Sequence, residues 1–105
     1  MNKIIIIGNL TKDPELKTTE SGIKVCNFTV AVNSRRSGED NTQYFNVIVW
    51  RELAEVCGTY LRKGRKVSCV GTIRGRVYQA SDGGWRQSLE ISATEVEFLS
   101  SRPEG

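Results

Sequence analysis

Only one stretch of this chain carries a helical hydrophobic period; the other patterned segments alternate as strands do. In RELAEVCGTYLRKG, residues 51–64, Leu53, Val56, Cys57, Tyr60 and Leu61 recur at i, i+3, i+4, i+7 and i+8, which draws a single apolar stripe on a helix. Gly58 weakens that helix by about 1 kcal/mol relative to alanine without reversing the period. Gly64 stands where a C-terminal cap would fall, with Arg62 and Lys63 on the end that the helix dipole favours for cations. Tyr60, on the stripe, is expected in the core.

Around this helix the chain reads as strands. NKIIIIGNL gives a first strand at about residues 2–9, and TKDPELKTTESG reads as a loop punctuated by Pro14 and Gly22. IKVCNFTVAVN is a second strand, with Cys26, Phe28, Val30 and Val32 on one side. SRRSGEDNT is a polar connection long enough to project from the body. TQYFNVIVW, residues 42–50, is the third strand. KVSCVGTIRGRVYQA follows the helix as a fourth, bent or bulged around Gly71 and Gly75. SDGGW turns the chain into a fifth, WRQSLEISATEVEFL.

Three strands, a helix and two strands is the element order of an OB-fold, an all-β five-stranded Greek-key barrel with one helix between strands three and four. An open α+β sheet with one covering helix is the alternative. With 105 residues the chain holds one domain, expected over residues 1–100. SSRPEG leaves 101–105 as the disordered start of a C-terminal tail that is truncated or absent.

Several function classes lose support. There is no histidine, which removes the commonest general base and the commonest metal ligand. Cys26, Cys57 and Cys69 are odd in number and have no zinc-ligand spacing. No glycine-rich phosphate loop occurs. Glu39 and Asp40 sit in a loop, and Glu90, Glu95 and Glu97 point outward from the last strand. No enzyme, cofactor or metal is expected. The longest apolar run, IIII at residues 4–7, is far too short to cross a bilayer. No signal-peptide pattern opens the chain, and free cysteines suit a reducing cytoplasm.

The polar side of the strands carries more information. Side chains alternate along a strand, so Phe45, Val47 and Val49 share a core side, while Tyr44, Asn46, Ile48 and Trp50 share the other. Tyr44 and Trp50 then stand roughly 20 Å apart at about 3.3 Å per residue. The fourth strand repeats the arrangement: Val70, Thr72, Arg74, Arg76 and Tyr78 share one parity. Cations at a pitch of about 7 Å can follow successive phosphates, and a ring offers a flat surface to a base. Residues 51–86 hold eight Lys or Arg against three acids, net +5, whereas the remainder holds seven against nine. A charge-biased segment suits a polyanion. Stacking rings beside a basic groove are how proteins hold single-stranded nucleic acid without reading sequence.

Candidate stacking residues are therefore Tyr44, Trp50, Tyr78 and, after the turn, Trp85. Candidate phosphate contacts are Lys12, Arg35, Arg36, Arg51, Arg62, Lys63, Arg74, Arg76 and Arg86. Each ring has a packing alternative: Tyr44 across strands, Trp50 against the helix that begins beside it, Tyr78 and Trp85 at the hairpin. A solvated strand edge and helix end would also account for the charge bias.

NKIIIIGNLTKDPELK, VCNFTVAVN, FNVIVWRELAE and YLRKGRKV resemble, in order and spacing, the DNA-binding domain of bacterial single-stranded-DNA-binding proteins. The likeness runs from residue 2 to about 99. It implies an OB-fold, a homotetramer, a cytoplasmic, nucleoid-associated protein of bacteria or phage, and sequence-tolerant wrapping of single-stranded DNA in replication, recombination and repair. The family's stacking positions fall on Tyr44, Trp50 and Tyr78, and its basic positions on Lys63, Arg74 and Arg76. Three departures stand out. Arg36 replaces a frequent aromatic, Glu52 replaces a basic residue beside Arg51, and the acidic, apolar-tipped tail of longer members is not present. Replication and repair proteins are expected partners only if the native chain has that tail.

IIII is apolar on both sides, more than one barrel interior requires. Ile4, Ile5, Ile6 and Ile7 are therefore candidates for a contact between subunits, or for cover by a neighbouring segment within one. An RNA or primosome-accessory role and a protein-docking module remain the competing functions.

Overall fold

The computed structural model describes residues 1–99, and of Arg36 only the backbone. The elements run β1 (Ile4–Leu10), β2 (Glu15–Thr18), β3 (Lys24–Arg36), β4 (Glu39–Trp50), α1 (Arg51–Tyr60), β5 (Lys66–Gln79) and β6 (Trp85–Phe98). Neighbours in the sheet follow the order β1-β5-β6-β4-β3-β2, and β1 also pairs with β3. That pairing, Asn9 with Ala31 and Leu10 with Val30, closes the sheet into a five-stranded barrel. With α1 inserted before β5, the architecture is an OB-fold. The expected tail at 101–105 lies outside the described residues.

Closure depends on two close approaches. A Cβ on Gly8 would stand 2.2 Å from the Ala31 carbonyl oxygen, and one on Gly71 would stand 2.1 Å from that of Ser92. Only glycine fits where backbones come that near. The register of β5 against β6 shifts between Val70 and Gly71, where Val70 faces Glu95 and Gly71 faces Ala93. Thr94 is thus the extra residue. It explains why the inward parity of β6 changes from Ile91 and Ala93 to Val96, and why Glu90, Glu95 and Glu97 can all point outward. Gly75 pairs regularly with Leu89, so the register carries no bulge there.

The core lies between the barrel walls and α1, with Phe28, Val30, Val47, Val49, Val67 and Ile91 meeting Ala54, Cys57 and Leu61. Tyr60 departs from expectation and is 62% exposed. The helix ends at Tyr60, and Leu61, now extended at φ −83° and ψ 147°, takes the buried place instead. Gly64 is not the helix cap either. Its φ of +89° belongs to a turn in which the Arg65 amide donates to the Arg62 carbonyl at 3.0 Å.

The stretch expected as a loop after β1 contains β2, which pairs Glu15–Thr18 with Lys24–Asn27. All four of its residues are exposed, so no apolar alternation betrayed it. Leu16 packs against Gly58, where an added Cβ would come within 3.0 Å of it. The helix-weakening glycine is what lets β2 approach.

The connection after β3 also proves regular. β3 and β4 pair as far as Arg36 and Glu39. Ser37 and Gly38, both with positive φ (53° and 80°), form the two-residue turn. β5 and β6 likewise pair out to Gln79 and Trp85. Because β4 and β6 run parallel and pair over Asn46–Ile48 and Glu90–Ser92, both ribbons project from the same end of the barrel. Among the described residues no helix is long and apolar enough to cross a membrane.

Candidate nucleic-acid interface

One outer wall gathers most of the candidates. β6 lies between β4 and β5, so the wall reads β3, β4, β6, β5. A single row crosses it: Thr29 opposite Asn46, Asn46 opposite Glu90, and Glu90 opposite Arg74. At about 4.8 Å between strands, the row spans roughly 14 Å. The next row holds Asn27, Ile48, Ser92 and Thr72. Along β4 the same outward parity carries Tyr44 and Trp50, which are 66% and 44% exposed. Along β5 it carries Arg76 and Tyr78, the latter 45% exposed. All three rings therefore keep a large share of their surface exposed on this side of the sheet.

Trp85 is the exception. It is 68% exposed and pairs with Gln79, whereas Tyr78 pairs with Arg86. Trp85 thus shares the opposite face of the β5–β6 ribbon with exposed Val77 and Leu89. The structure does not bring it to the wall.

The cations divide by what already engages them. Arg35 Nε meets Asp40 Oδ1 at 3.0 Å, and Arg86 Nη2 meets Asp82 Oδ2 at 2.8 Å. Arg62 Nη1 donates to the carbonyls of Gly58 at 3.2 Å and Leu61 at 2.6 Å, closing the end of α1. Among the described residues, Lys12, Arg51, Lys63, Arg74 and Arg76 have no side-chain hydrogen bond or ion pair. Asp13 draws two of these together: it follows Lys12 in the chain, and its Oδ1 accepts the backbone amide of Lys63 at 2.8 Å. The Arg36 side chain lies outside the described residues.

Arg51 joins Trp50 to the helix with φ +61°. A left-handed conformation costs a non-glycine residue roughly 1–2 kcal/mol, so the turn from strand to helix is strained beside the Trp50 ring. Such strain concentrates at functional positions.

Ile6 is buried in the barrel core and Ile4 packs against it, so two of the four isoleucines are used within the chain. Ile5 and Ile7 remain exposed on the other parity. The three cysteines are buried free thiols. Among the described residues no group of three His, Cys, Asp or Glu could hold a metal ion.

Thr29 and Glu90 are members of the wall that no aromatic or cationic pattern in the sequence singles out. Glu90 has the right outward parity, but Asn46 comes beside it through a parallel β4–β6 pairing that local patterning does not reveal.

The model of the Single-strand binding protein family matches residues 1–99. The "Single-stranded DNA-binding protein" of Caldanaerobacter subterraneus subsp. tengcongensis is 41% identical over 102 residues, covering 94% of this chain and 68% of that protein. The protein of the same name from Neisseria meningitidis serogroup A is 40% identical, covering 99% of this chain and 63% of its own length. "Single-stranded DNA-binding protein 2" of Clostridium acetobutylicum is 43% identical, covering 94% and 77%. The chain thus spans about two thirds of the length of the first two. With its barrel and its match along nearly every described residue, the chain belongs to the Single-strand binding protein family.

Proposed function

We propose that this protein binds and protects single-stranded DNA, without enzymatic chemistry and with little regard to sequence, during replication, recombination and repair. The observation that carries the reading is the coincidence, on one sheet face, of three exposed rings with cations that nothing in the described chain neutralises. Bases stack on Tyr44, Trp50 and Tyr78, each worth about 1–3 kcal/mol by truncation. Arg74, Arg76 and Arg51 take phosphates along the wall, and Lys12 and Lys63 take them at its β2 side. Arg35, Arg62 and Arg86 contribute only after leaving their present partners.

Residues 1–100 act as the DNA-binding domain. Ile5 and Ile7, apolar and uncovered, are the residues through which copies associate, and a homotetramer is the expected assembly. Replication and repair proteins enter only through a C-terminal tail, where the native protein has one.

The test is a tryptophan-fluorescence titration with oligo-dT of increasing length, run beside duplex DNA and poly-U, with light scattering for subunit number. Quenching by oligo-dT at nanomolar to micromolar concentration is expected. Equal affinity for duplex and single strand rejects the reading.

A further inference from the structure

We propose that Glu90 gives the binding wall a base bias, disfavouring thymine relative to bases that carry an exocyclic amino group. The inference rests on the single-strand reading above and deepens it. Glu90 is half-buried on β6, opposite Asn46 on one side and Arg74 on the other. It also lines two depressions of the wall: one with Arg74, Gly75, Arg76 and Ser88, the other with Lys12, Asn27, Thr29 and Asn46, where Asp13, bonded to the Lys63 amide, and Glu15, paired with Lys17, stand at the rim. A carboxylate at the junction of two hollows, on the strand that separates the Tyr44 strand from the Tyr78 strand, meets whatever enters either.

Its charge is not spent inside the protein. Among the described residues Glu90 has no ion pair or hydrogen bond, although Arg74 faces it in register. Asn46 is held by Thr29, whose Oγ1 donates to Asn46 Oδ1 at 3.1 Å. The neighbouring amide is therefore fixed in orientation, while the carboxylate is left to the ligand. For phosphate binding alone, an acid here is a defect, since it repels the backbone.

For bases it is selective. An ionised carboxylate only accepts hydrogen bonds. Unpaired bases are read on their Watson–Crick edges. Cytosine, adenine and guanine each present an amino group there, whereas thymine presents one ring N–H between two carbonyl oxygens. Glu90 can accept from the amino groups, as acids do from cytosine N4, and its charge opposes thymine's carbonyls.

The experiment compares oligo-dC and oligo-dT of equal length at one salt concentration, using the intact chain and two variants. Glu90→Gln, nearly isosteric, removes the charge and adds a donor. Its dC:dT affinity ratio is expected to fall about threefold, because the amide can now serve thymine's carbonyls. Glu90→Asp keeps the charge but shortens the reach. It is expected to lose the same bias without the overall tightening that Gln brings. Should both variants shift dC and dT by the same factor, Glu90 acts as a bare charge and the inference is overturned while single-strand binding stands. Failure of the unaltered protein to bind either oligonucleotide would overturn both readings.

Discussion

Tyr78 and Trp85 lie on opposite faces of one two-stranded ribbon: Tyr78 pairs with Arg86 on the wall side, and Trp85 pairs with Gln79 on the other. Both rings are exposed and near the same turn, so distance from the hairpin tip cannot separate them. The face does. Tyr78→Ala is expected to weaken oligo-dT binding by about 1–3 kcal/mol, as is Trp50→Ala, with Trp85→Ala well below either. Isothermal titration on the three variants measures the order. A Trp85 effect larger than that of Trp50 would place the main platform on the far side of the ribbon.

Salt dependence should follow the division of the cations. For single strands, log affinity falls with log salt by about 0.7 per phosphate neutralised. Arg74→Ala and Arg76→Ala, which remove unengaged guanidiniums, are each expected to flatten that slope by about 0.7. Arg35→Ala and Arg86→Ala should flatten it less, because these side chains already meet Asp40 and Asp82. Titrations across a range of salt, with all four variants giving the same change, would show that the ion pairs yield freely to DNA.

The two glycines of β5 predict a stability contrast. Gly71→Ala would force a methyl onto the Ser92 carbonyl at 2.1 Å, while Gly75→Ala meets only side chains, the Gln87 amide at 3.0 Å and Leu89 Cδ2 at 3.5 Å. The first collides with backbone in a closed barrel and should cost about 3 kcal/mol or more. The second can swing its neighbour aside and should cost under about 1 kcal/mol. Urea midpoints at constant m-value report both. Similar losses at the two sites would mean that the barrel can open at β5–β6 to make room.

What the sequence made legible was whatever depends on period and parity. The outward row of Tyr44, Asn46 and Trp50, the inward row of Val47 and Val49, and the basic face of β5 all follow from alternation. Anything set by a partner strand was not legible. β2 has no buried residue to announce it, Tyr60 lost its place to Leu61 where the helix stops, and Glu90 acquired Asn46 as a neighbour from a parallel pairing between distant segments. Trp85 shows the same limit within a hairpin. The one-residue difference in parity that sends it away from Tyr78 depends on the register through the turn.

The three thiols predict an alkaline limit to stability. Burial pushes Cys57 from about 9 up to about 12, with smaller contributions from nearby Cys26 and Cys69, and burial likewise lifts Cys26 to about 11 and Cys69 to about 12. The neutral thiol is thus the form the fold holds. Between pH 9 and these raised values the unfolded chain loses thiol protons that the folded chain keeps, so ν_U is smaller than ν_N and stability falls as pH rises. Below pH 9 both states are protonated and the thiols contribute no slope. Each raised thiol withdraws on the order of 1 kcal/mol per pH unit above 9. In Cys57→Ala, the plot of unfolding free energy against pH between 9 and 11 should therefore be shallower than in the unaltered protein by about that amount, even if the truncation lowers stability at every pH. Iodoacetamide at pH 8 should leave all three thiols unmodified in the folded protein and alkylate them in urea. Parallel pH curves for the two proteins, or rapid native alkylation, would mean that water reaches the sulfur atoms and that the barrel end under α1 opens readily.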